Sequence, residues 1–297
     1  MRKVLKWSGI TVGGAVGLAV LVLGGLVALG ASRTGRTVAV AHPVTPVSAD
    51  SALVARGQQL AVGVSRCAMC HGSDFGGEVF VDDGGFGTIA APNLTPGGGA
   101  RTAADWERAV RHGVGADGRV LIGMPAEFFA AYSDADLEAL VAYLESLPPV
   151  ERELPARSLG PLAKVLVGAG VYTPPALATD HAAPHAAEAP GAPADYGAYL
   201  VAVAACGECH GAGLTGPDLP GPPPGPDLTP AGRLGGWTEA EFVTAMRSGQ
   251  APDKTLDPEL MPWPRFAYLS DDDLRAVWAY LRTLPAEGAL VASRRAR

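Results

Sequence analysis

Two short cysteine–histidine motifs carry the residues best suited to chemistry in this chain. The first is Cys67-Ala68-Met69-Cys70-His71 and the second is Cys206-Gly207-Glu208-Cys209-His210, and together they use all four cysteines. Two thiols separated by two residues can bond to the two vinyl groups of one porphyrin, and the histidine that follows can then bind the iron. The pattern predicts two covalently bound haem c groups. The predicted attachment residues are Cys67, Cys70, Cys206 and Cys209, and the predicted proximal ligands are His71 and His210.

Paired cysteines also occur in zinc half-sites and in redox-active dithiols. Zinc would need four ligands to converge, whereas the two cysteine pairs lie 139 residues apart in the sequence. A thioredoxin-like dithiol is expected in a βαβ context, which the surrounding sequence does not predict. Two copies that both end in histidine therefore favour haem attachment.

The motifs belong to a larger internal repeat. Pro92-Asn93-Leu94-Thr95-Pro96 returns as Pro226-Asp227-Leu228-Thr229-Pro230, and the segment 133–137 returns as 270–274. The offsets between matching segments stay between 134 and 139 residues. A repeat of this length indicates two tandem domains.

A methionine stands at a matched position in each repeat. Met124 follows His71 by 53 residues, Met261 follows His210 by 51, and each methionine is followed by proline. A methionine beside apolar residues is otherwise ordinary core filling, but two at matched positions favour a role as the second axial ligand. His/Met ligation raises the reduction potential and leaves the iron with no open site.

His112 is the main rival ligand in the first repeat. Its counterpart in the second repeat is Ser248, a poor ligand. We therefore interpret His112 as a helix-end histidine, which the C-terminal helix dipole favours.

A second group of residues is expected around the iron ligands. An axial histidine usually donates its other ring N–H to a carbonyl, and Pro92 and Pro226 can supply one in each repeat. Candidates for contacts with the haem propionates or edge are Arg101, Trp237 and Trp263.

Helical patterns position these residues. Helix-capping signals are clearest at Thr102, Ser133, Thr238 and Ser270, each followed three residues later by Asp or Glu. The predicted helices are 50–64, 102–112 and one from 134 in the first repeat, and 198–205, 238–248 and one from 271 in the second.

The N-terminal residues 1–31 predict a membrane helix. Basic residues in 1–6 precede Trp7–Ala31, which has no charge and is long enough to cross a bilayer. A cleaved signal peptide is the alternative, but its apolar region is usually shorter. In either case the basic end stays inside and the remainder is exported, which predicts a single-pass protein of the bacterial cytoplasmic membrane with its haem domains on the periplasmic side.

The remaining segments are connections. Residues 32–48 are predicted to be a tether, 151–194 a largely extended linker with a short apolar helix at 159–167, and 286–297 a basic tail. His181 and His185 are interpreted as solvated linker histidines.

The charge distribution restricts the partners. Residues 49–150 carry a net charge of −7 and residues 195–285 carry −6, whereas the first 48 residues carry +5. Acidic domains argue against nucleic acid and are compatible either with a basic docking partner or simply with solubility.

The order of motifs resembles the class I cytochrome c fold. It comprises Cys-x-x-Cys-His, Leu-Thr-Pro, Met-Pro and Ser-Asp-x-Asp-Leu, and it covers residues 49–150 and 195–285. The resemblance implies an all-α chain with two tandem cytochrome c domains, each packed around its haem. The tandem arrangement is similar to membrane-anchored dihaem cytochromes c, including the cytochrome subunits of bacterial alcohol and sugar dehydrogenases. Those subunits commonly carry three haem domains, whereas this chain has two motifs.

Three functions are open at this point. The favoured one is single-electron transfer from a dehydrogenase or quinol-oxidising complex to an oxidase or soluble cytochrome, with no catalysis by the chain itself. The second is a dihaem enzyme, such as a peroxidase or thiosulfate-type dehydrogenase, with one replaceable axial ligand. The third is a haem-based sensor, for which the sequence offers no cytoplasmic output domain. Saturated axial ligation favours the carrier.

Overall fold

The computed structural model describes residues 2–40, 50–186, 189, 191, 193–216 and 225–285. The predicted basic tail, 286–297, lies outside these residues, as do residues 41–48 of the predicted tether.

Two compact units divide the chain, and neither is continuous in sequence. The first comprises residues 1–44, 70–127 and 149–182, and the second comprises 45–69, 128–148 and 183–297. The division falls inside the first cysteine motif, between Met69 and Cys70. The units therefore do not coincide with the two sequence repeats, because the second unit includes two helical segments of the first repeat.

The N-terminal helix α1 (Arg2–Thr34) is the longest element of the described chain. Its segment Ile10–Thr34 is long and apolar enough to cross a membrane. The chain does not leave this helix as a free tether, since the amide of Val38 donates to the carbonyl of Gly118 and Thr37 pairs with Arg119. The start of the predicted tether is thereby fixed to the first unit.

The helices of the first repeat follow the predicted capping signals. Asp50 caps the first of them and accepts from the amide of Ala52, and a π-helical turn, Gln59–Val64, continues it. Thr102 opens the next with a complete capping box, and Ser133 accepts from the amide of Asp136 at the last. These helices are α2 (Ser51–Gln58), α3 (Ala68–His71), α4 (Ala103–His112), α5 (Ala126–Phe129) and α6 (Asp134–Ser146).

The prediction of an all-α fold is incomplete, because the glycine-rich loop after His71 contains a β-hairpin. Strands β1 (Glu78–Asp83) and β2 (Gly87–Ala91) pair antiparallel, and β3 (Ser158–Leu159) adds to the outer edge of β2. The third strand comes from the linker, so sequence proximity gives no hint of this pairing.

The predicted linker is folded over the first unit rather than largely extended. Its short apolar helix is present as α7 (Pro161–Gly168). Before it, Arg152 forms an ion pair with Asp74 at 2.7 Å. After it, Ala176 packs into a small core with Val114 and Val120. The linker therefore covers much of the first unit.

The second repeat has the same helical plan. Capping boxes at Thr238 and Ser270 begin two of its helices, as predicted. A short antiparallel pair, β4 (Gln250–Ala251) and β5 (Lys254–Thr255), separates them. The helices are α8 (Pro193–Val203), α9 (Gly207–His210), α10 (Glu239–Ser248), α11 (Trp263–Phe266) and α12 (Asp271–Thr283).

The first and last helices of each repeat cross at a glycine. A Cβ on Gly57 would lie 1.9 Å from the carbonyl oxygen of Ala139, and a Cβ on Gly197 would lie 1.9 Å from that of Ala276. Only glycine permits this backbone-to-backbone approach. The crossing fixes the first helix of each repeat, and hence the cysteine motif that follows it.

A polar network joins α2, α6, α8 and α12 inside the second unit. The guanidinium of Arg56 binds Asp136 at 2.8 Å, lies 3.5 Å from Asp273, and lies 6.0 Å from the ring centroid of Tyr196. Tyr196 donates to Asp273 at 2.6 Å, and Tyr199 donates to Asp136 at 2.7 Å. Each of these two buried carboxylates is therefore compensated by a hydrogen-bonded partner, as burial of charge requires.

Candidate haem centres

Each motif histidine ends a single helical turn and is held by a carbonyl. His71 and His210 are both buried, with 7% of each residue exposed. The Nδ1 atom of His71 lies 2.7 Å from the carbonyl oxygen of Pro92, and that of His210 lies 2.8 Å from the carbonyl oxygen of Pro226. These two bonds confirm the predicted carbonyl partners.

Burial lowers the pKa of both imidazoles, because it penalises the charged form. Each ring is therefore neutral at neutral pH. With Nδ1–H donated to a carbonyl, the neutral tautomer leaves the Nε2 lone pair for iron.

The cysteines have the accessibility expected for attachment to a surface-reaching group. Cys67 and Cys206 are half-buried, Cys70 and Cys209 are exposed, and none forms a disulfide. Burial raises the pKa of the Cys206 thiol to about 11, which makes it a poor redox nucleophile. No cysteine shares a cluster of three or more His, Cys, Asp or Glu donors in the described part of the chain.

A largely apolar cavity of about 320 Å³ lies in the second unit. We call it the second cavity, after the second cysteine motif that it adjoins. Its walls bring together Cys206, Cys209, His210 and Met261, the four residues that the sequence proposes for one haem. The volume lies at the lower end of the range for cofactor pockets. The residues present therefore fit a covalently bound haem, with two thiols, an imidazole and a thioether on the walls of one apolar cavity. Apolar side chains that complete the lining are Leu200, Leu234, Phe242, Met246, Phe266 and Leu281.

The methionines of the two repeats share a local backbone geometry. The carbonyl of Met124 accepts from the amide of Ala126 at 2.9 Å, and that of Met261 accepts from the amide of Trp263 at 2.6 Å. A proline stands between donor and acceptor in each case, and both methionines are half-buried. Met124 lies in the first unit with Cys70 and His71, whereas Cys67 belongs to the second.

Two residues of the first repeat line the second cavity, and sequence reasoning missed both. Val64 and Arg66 stand on its wall beside the second-repeat residues. The positive charge of Arg66 acts on Cys206, where it partly offsets the effect of burial on the thiol pKa. Arg66 has a φ of 52°, and the matching Ala205 has a φ of 56°. Nothing in the sequence around Arg66 indicates that its side chain lines a cavity of the other repeat.

The three residues predicted to contact the haem propionates or edge differ in their surroundings. Trp237 lines the second cavity together with Arg233, whose guanidinium lies 5.7 Å from its ring centroid. Arg101 lies 5.0 Å from the ring centroid of Trp106 and donates to the carbonyl of Asn93. The indole of Trp263 donates to the carbonyl of Leu256 at 3.2 Å. Of the three candidates, Trp237 alone is on the wall of this cavity.

His112 is engaged at the end of α4 within the first unit. It is only 1% exposed, its Nε2 lies 3.6 Å from Glu107, and its Nδ1 lies 3.0 Å from Nδ1 of His181. The interpretation of His181 and His185 as solvated residues was wrong, since both are half-buried. The Nε2 atom of His181 lies 2.9 Å from the carbonyl oxygen of Ala176. The linker that carries His181 folds onto α4, a packing that composition alone does not predict.

Comparison with known proteins gives a family for both repeats. Residues 54–148 and 194–285 each match the cytochrome c family. The two matches contain both cysteine–histidine motifs and both methionines.

Several curated relatives match across both repeats. The chain is 29% identical over 281 residues to the fructose dehydrogenase cytochrome subunit of Gluconobacter japonicus, covering 82% of this chain and 55% of the relative. It is 31% identical to the cytochrome c subunit of the alcohol dehydrogenase (quinone) of Gluconacetobacter polyoxogenes, covering 80% and 57%. A diheme cytochrome c-type protein of Cereibacter sphaeroides is 30% identical, with 81% of this chain and 91% of the relative covered. The chain thus spans little more than half the length of the two dehydrogenase subunits.

Proposed function

Because the chain belongs to the cytochrome c family and carries two c-type haems, we propose that it transfers single electrons in a membrane-associated dehydrogenase or respiratory chain. The observation that carries this proposal is the cavity that gathers Cys206, Cys209, His210 and Met261 on its walls. A haem held there exchanges one electron at its iron without bond chemistry in a substrate.

The proposed ligands are the same in both repeats. Thioether bonds at Cys67 and Cys70, and at Cys206 and Cys209, attach the two haems. His71 with Met124, and His210 with Met261, are the proposed axial pairs. The matched prolyl carbonyls on the two histidines and the matched turns after the two methionines support equal ligation in the two centres.

The protein contributes to electron transfer by holding the ligands fixed. The hydrogen bond from each imidazole to a prolyl carbonyl sets the tautomer and the ring orientation and strengthens the ligand. The apolar lining of the second cavity excludes water, which limits reorganisation when the charge on the iron changes. A methionine in the sixth position leaves no site for a peroxide or gas molecule, which favours a carrier over an enzyme or a sensor.

The segment that precedes Cys67 contributes to both proposed centres. Val64 and Arg66 line the second cavity, and Arg66 is bonded directly to Cys67, an attachment residue of the first haem. A single backbone segment thus connects the attachment of one haem with the wall of the other.

The proposed location is the bacterial cytoplasmic membrane, with α1 as a single-pass anchor and both haem domains on the periplasmic side. The apolar span Ile10–Thr34 and the basic residues at the start of the chain support this orientation. The proposed electron donor is a dehydrogenase or a quinol-oxidising complex, as the names of the relatives suggest. The proposed acceptor is an oxidase or a soluble cytochrome.

Optical and EPR spectra of the purified dihaem protein test whether both axial positions of each iron are filled. We expect two low-spin haems that do not bind carbon monoxide rapidly. Met261→Ala is the matched control, because it should open one site and make half of the haem reactive toward carbon monoxide. A high-spin haem, or rapid carbon monoxide binding in the unaltered protein, would instead support the dihaem enzyme with a replaceable ligand.

A further inference from the structure

The short helix α7 packs tightly against the C-terminal end of α1. A Cβ on Gly30 would lie 1.9 Å from the carbonyl oxygen of Lys164, and a Cβ on Gly168 would lie 2.1 Å from that of Leu26. The two backbones therefore touch at two points, one helical turn apart. The order of the contacts is reversed between the helices, so they run antiparallel.

Polar groups of α1 hold the end of α7 in place. The guanidinium of Arg33 donates to the carbonyl oxygens of Val167 and Gly168, at 2.8 Å and 3.3 Å. These are among the last carbonyls of α7, which lack partners within the helix. Thr34, buried at the C-terminal end of α1, bonds within that helix to the carbonyl of Gly30, the residue that touches Lys164. The position of α7 along α1 is therefore fixed.

The position of these contacts along α1 sets how deep α7 reaches. The uncharged run Trp7–Ala31 has 25 residues, which is roughly 37 Å of helix against a hydrocarbon core of about 30 Å. Leu26 lies about 7 Å before Ala31 at 1.5 Å per residue. Even if the whole excess of about 7 Å projected at this end, Leu26 would stand at the edge of the hydrocarbon, and the residues of α1 before it would lie inside. Gly168, which touches it, lies at the same level.

The composition of α7 and the turn after it suits this depth. Lys164 is the only charged residue between 161 and 172, and it stands one turn nearer to the membrane surface than Gly168. A lysine at that level can extend its ammonium group to the headgroups. Leu162 is 43% exposed and Val171 is 73% exposed, so both present apolar surface that the first unit leaves uncovered.

The hairpin β1–β2 continues this apolar surface. The amide of Leu162 donates to the carbonyl of Gly85 at the hairpin turn. Phe86 beside it is 36% exposed, and Phe80 on β1 is 47% exposed. Aromatic rings are favoured where a membrane meets water.

We propose that α7 and the turn after it, Leu162 to Val171, enter the bilayer beside α1, with Phe80 and Phe86 at the lipid–water boundary. The partner of this surface is lipid. The first unit would then be held on the membrane at two places, which restricts its orientation more than a single helix can. The inference rests on the proposed membrane anchor, because α1 supplies the depth scale.

Spin labels on the full-length dihaem protein in phosphatidylethanolamine/phosphatidylglycerol vesicles test the inference. In the proposed dihaem form the four native cysteines are bonded to haem and cannot react with the label. Val171→Cys therefore adds a single reactive thiol. Leu21→Cys, on the exposed face of α1, is the control for the anchor, and Glu151→Cys, on the exposed surface of the first unit, is the control for water. Haem absorbance confirms that each variant is assembled.

We expect the label at 171 to be relaxed several-fold more by oxygen than by a water-soluble nickel chelate, as at 21, with the ratio reversed at 151. A label at 171 that favours the nickel chelate while the label at 21 favours oxygen would overturn the inference and leave the anchor intact. Protection from both relaxants at 171 would also overturn it, because protein would then cover the site. Access of nickel to the label at 21 would reject the anchor itself.

Discussion

Helices α4 and α10 occupy the same position in the two repeats, yet their surroundings differ. Both begin with a threonine capping box and end at a glycine with positive φ. On α4, Arg111 is 2% exposed and pairs with Glu107 at 2.9 Å. The matching Arg247 on α10 has a side chain that is 30% exposed and pairs with Asp271 at 2.7 Å.

The difference comes from residues outside the repeat. In the first unit, Ala176 and His181 of the linker lie against the end of α4. The packing of the linker against α4 was not predicted, because the sequence indicated a largely extended connection. The comparison teaches that local signals fix the bounds of both helices, whereas non-repeated residues decide whether a charge at the same position is buried.

The strongest test of this comparison replaces the matched arginines. Arg111→Ala leaves the Glu107 carboxylate buried without its main counter-charge, and we expect a loss of about 3–5 kcal/mol in the free energy of unfolding. Arg247→Ala removes a partly exposed pair, with an expected loss of about 1 kcal/mol or less. Chemical denaturation of the haem-loaded variants gives both values. Equal losses would refute the difference in environment.

Replacing the axial methionines tests whether the two centres are equivalent. We expect Met124→His to lower the potential of the first haem, and Met261→His that of the second, by more than ~0.1 V within the roughly 0.8 V range that axial ligands span. Each substitution should move its own haem much more than the other, as measured by a spectroscopic redox titration. An unchanged spectrum in either variant would show that its methionine is not the ligand.

The crossing glycines should behave alike in the two repeats. Gly57→Ala and Gly197→Ala each place a methyl group against a backbone carbonyl, and we expect each to cost about 1–3 kcal/mol of stability. Gly84→Ala and Gly236→Ala are the controls, because a Cβ there meets no atom within 4 Å. Thermal unfolding compares the four variants. If the controls lose as much as the crossings, close packing is not the cause.

Removing the threonine helix caps should have the smallest effect on stability, and the effect should be similar in the two repeats. Thr102→Ala and Thr238→Ala each remove a capping hydroxyl, at an expected cost of about 1 kcal/mol. Hydrogen bonds to these threonines lower the pKa of Asp105 and Glu241. Because a lowered folded-state pKa stabilises the protein above the unfolded-state pKa, this stability is present at neutral pH and is lost as the pH falls below about 4.

Unfolding curves between neutral pH and pH 3 check this dependence. Each threonine variant should lose part of the acid sensitivity that the unaltered protein has. A cap effect in one repeat alone would mean that tertiary packing, and not the local sequence, holds these helix ends.

Much of the haem environment could be predicted from the sequence because its signals are local. The capping residues, the prolyl carbonyls and the two histidines were all assigned from short motifs at matched positions. The β1–β2 hairpin was not predicted, because its strands lie in a glycine-rich loop and the third strand comes from residues 158–159. Arg66 was missed because its place on the wall of the second cavity depends on contacts between repeats.

Linker packing was unpredictable for a related reason. The apolar pattern at 159–167 predicts a helix, and α7 is present, but an apolar face does not identify the surface that it covers. The small residues Gly30 and Gly168 permit the contact between α1 and α7 without specifying it.

The polar network around Arg56 brings together matched positions of the two repeats. Arg56 and Tyr196 are 140 residues apart, the same offset that relates the crossing glycines Gly57 and Gly197. In an interface with two-fold symmetry, a residue near the axis meets its own counterpart, and Arg56 does meet Tyr196. Two identical arginines would repel each other there, and two tyrosines would leave Asp136 and Asp273 without a cation. Fusion of the two copies into one chain allows the position to hold one of each, a solution that no homodimer can reach.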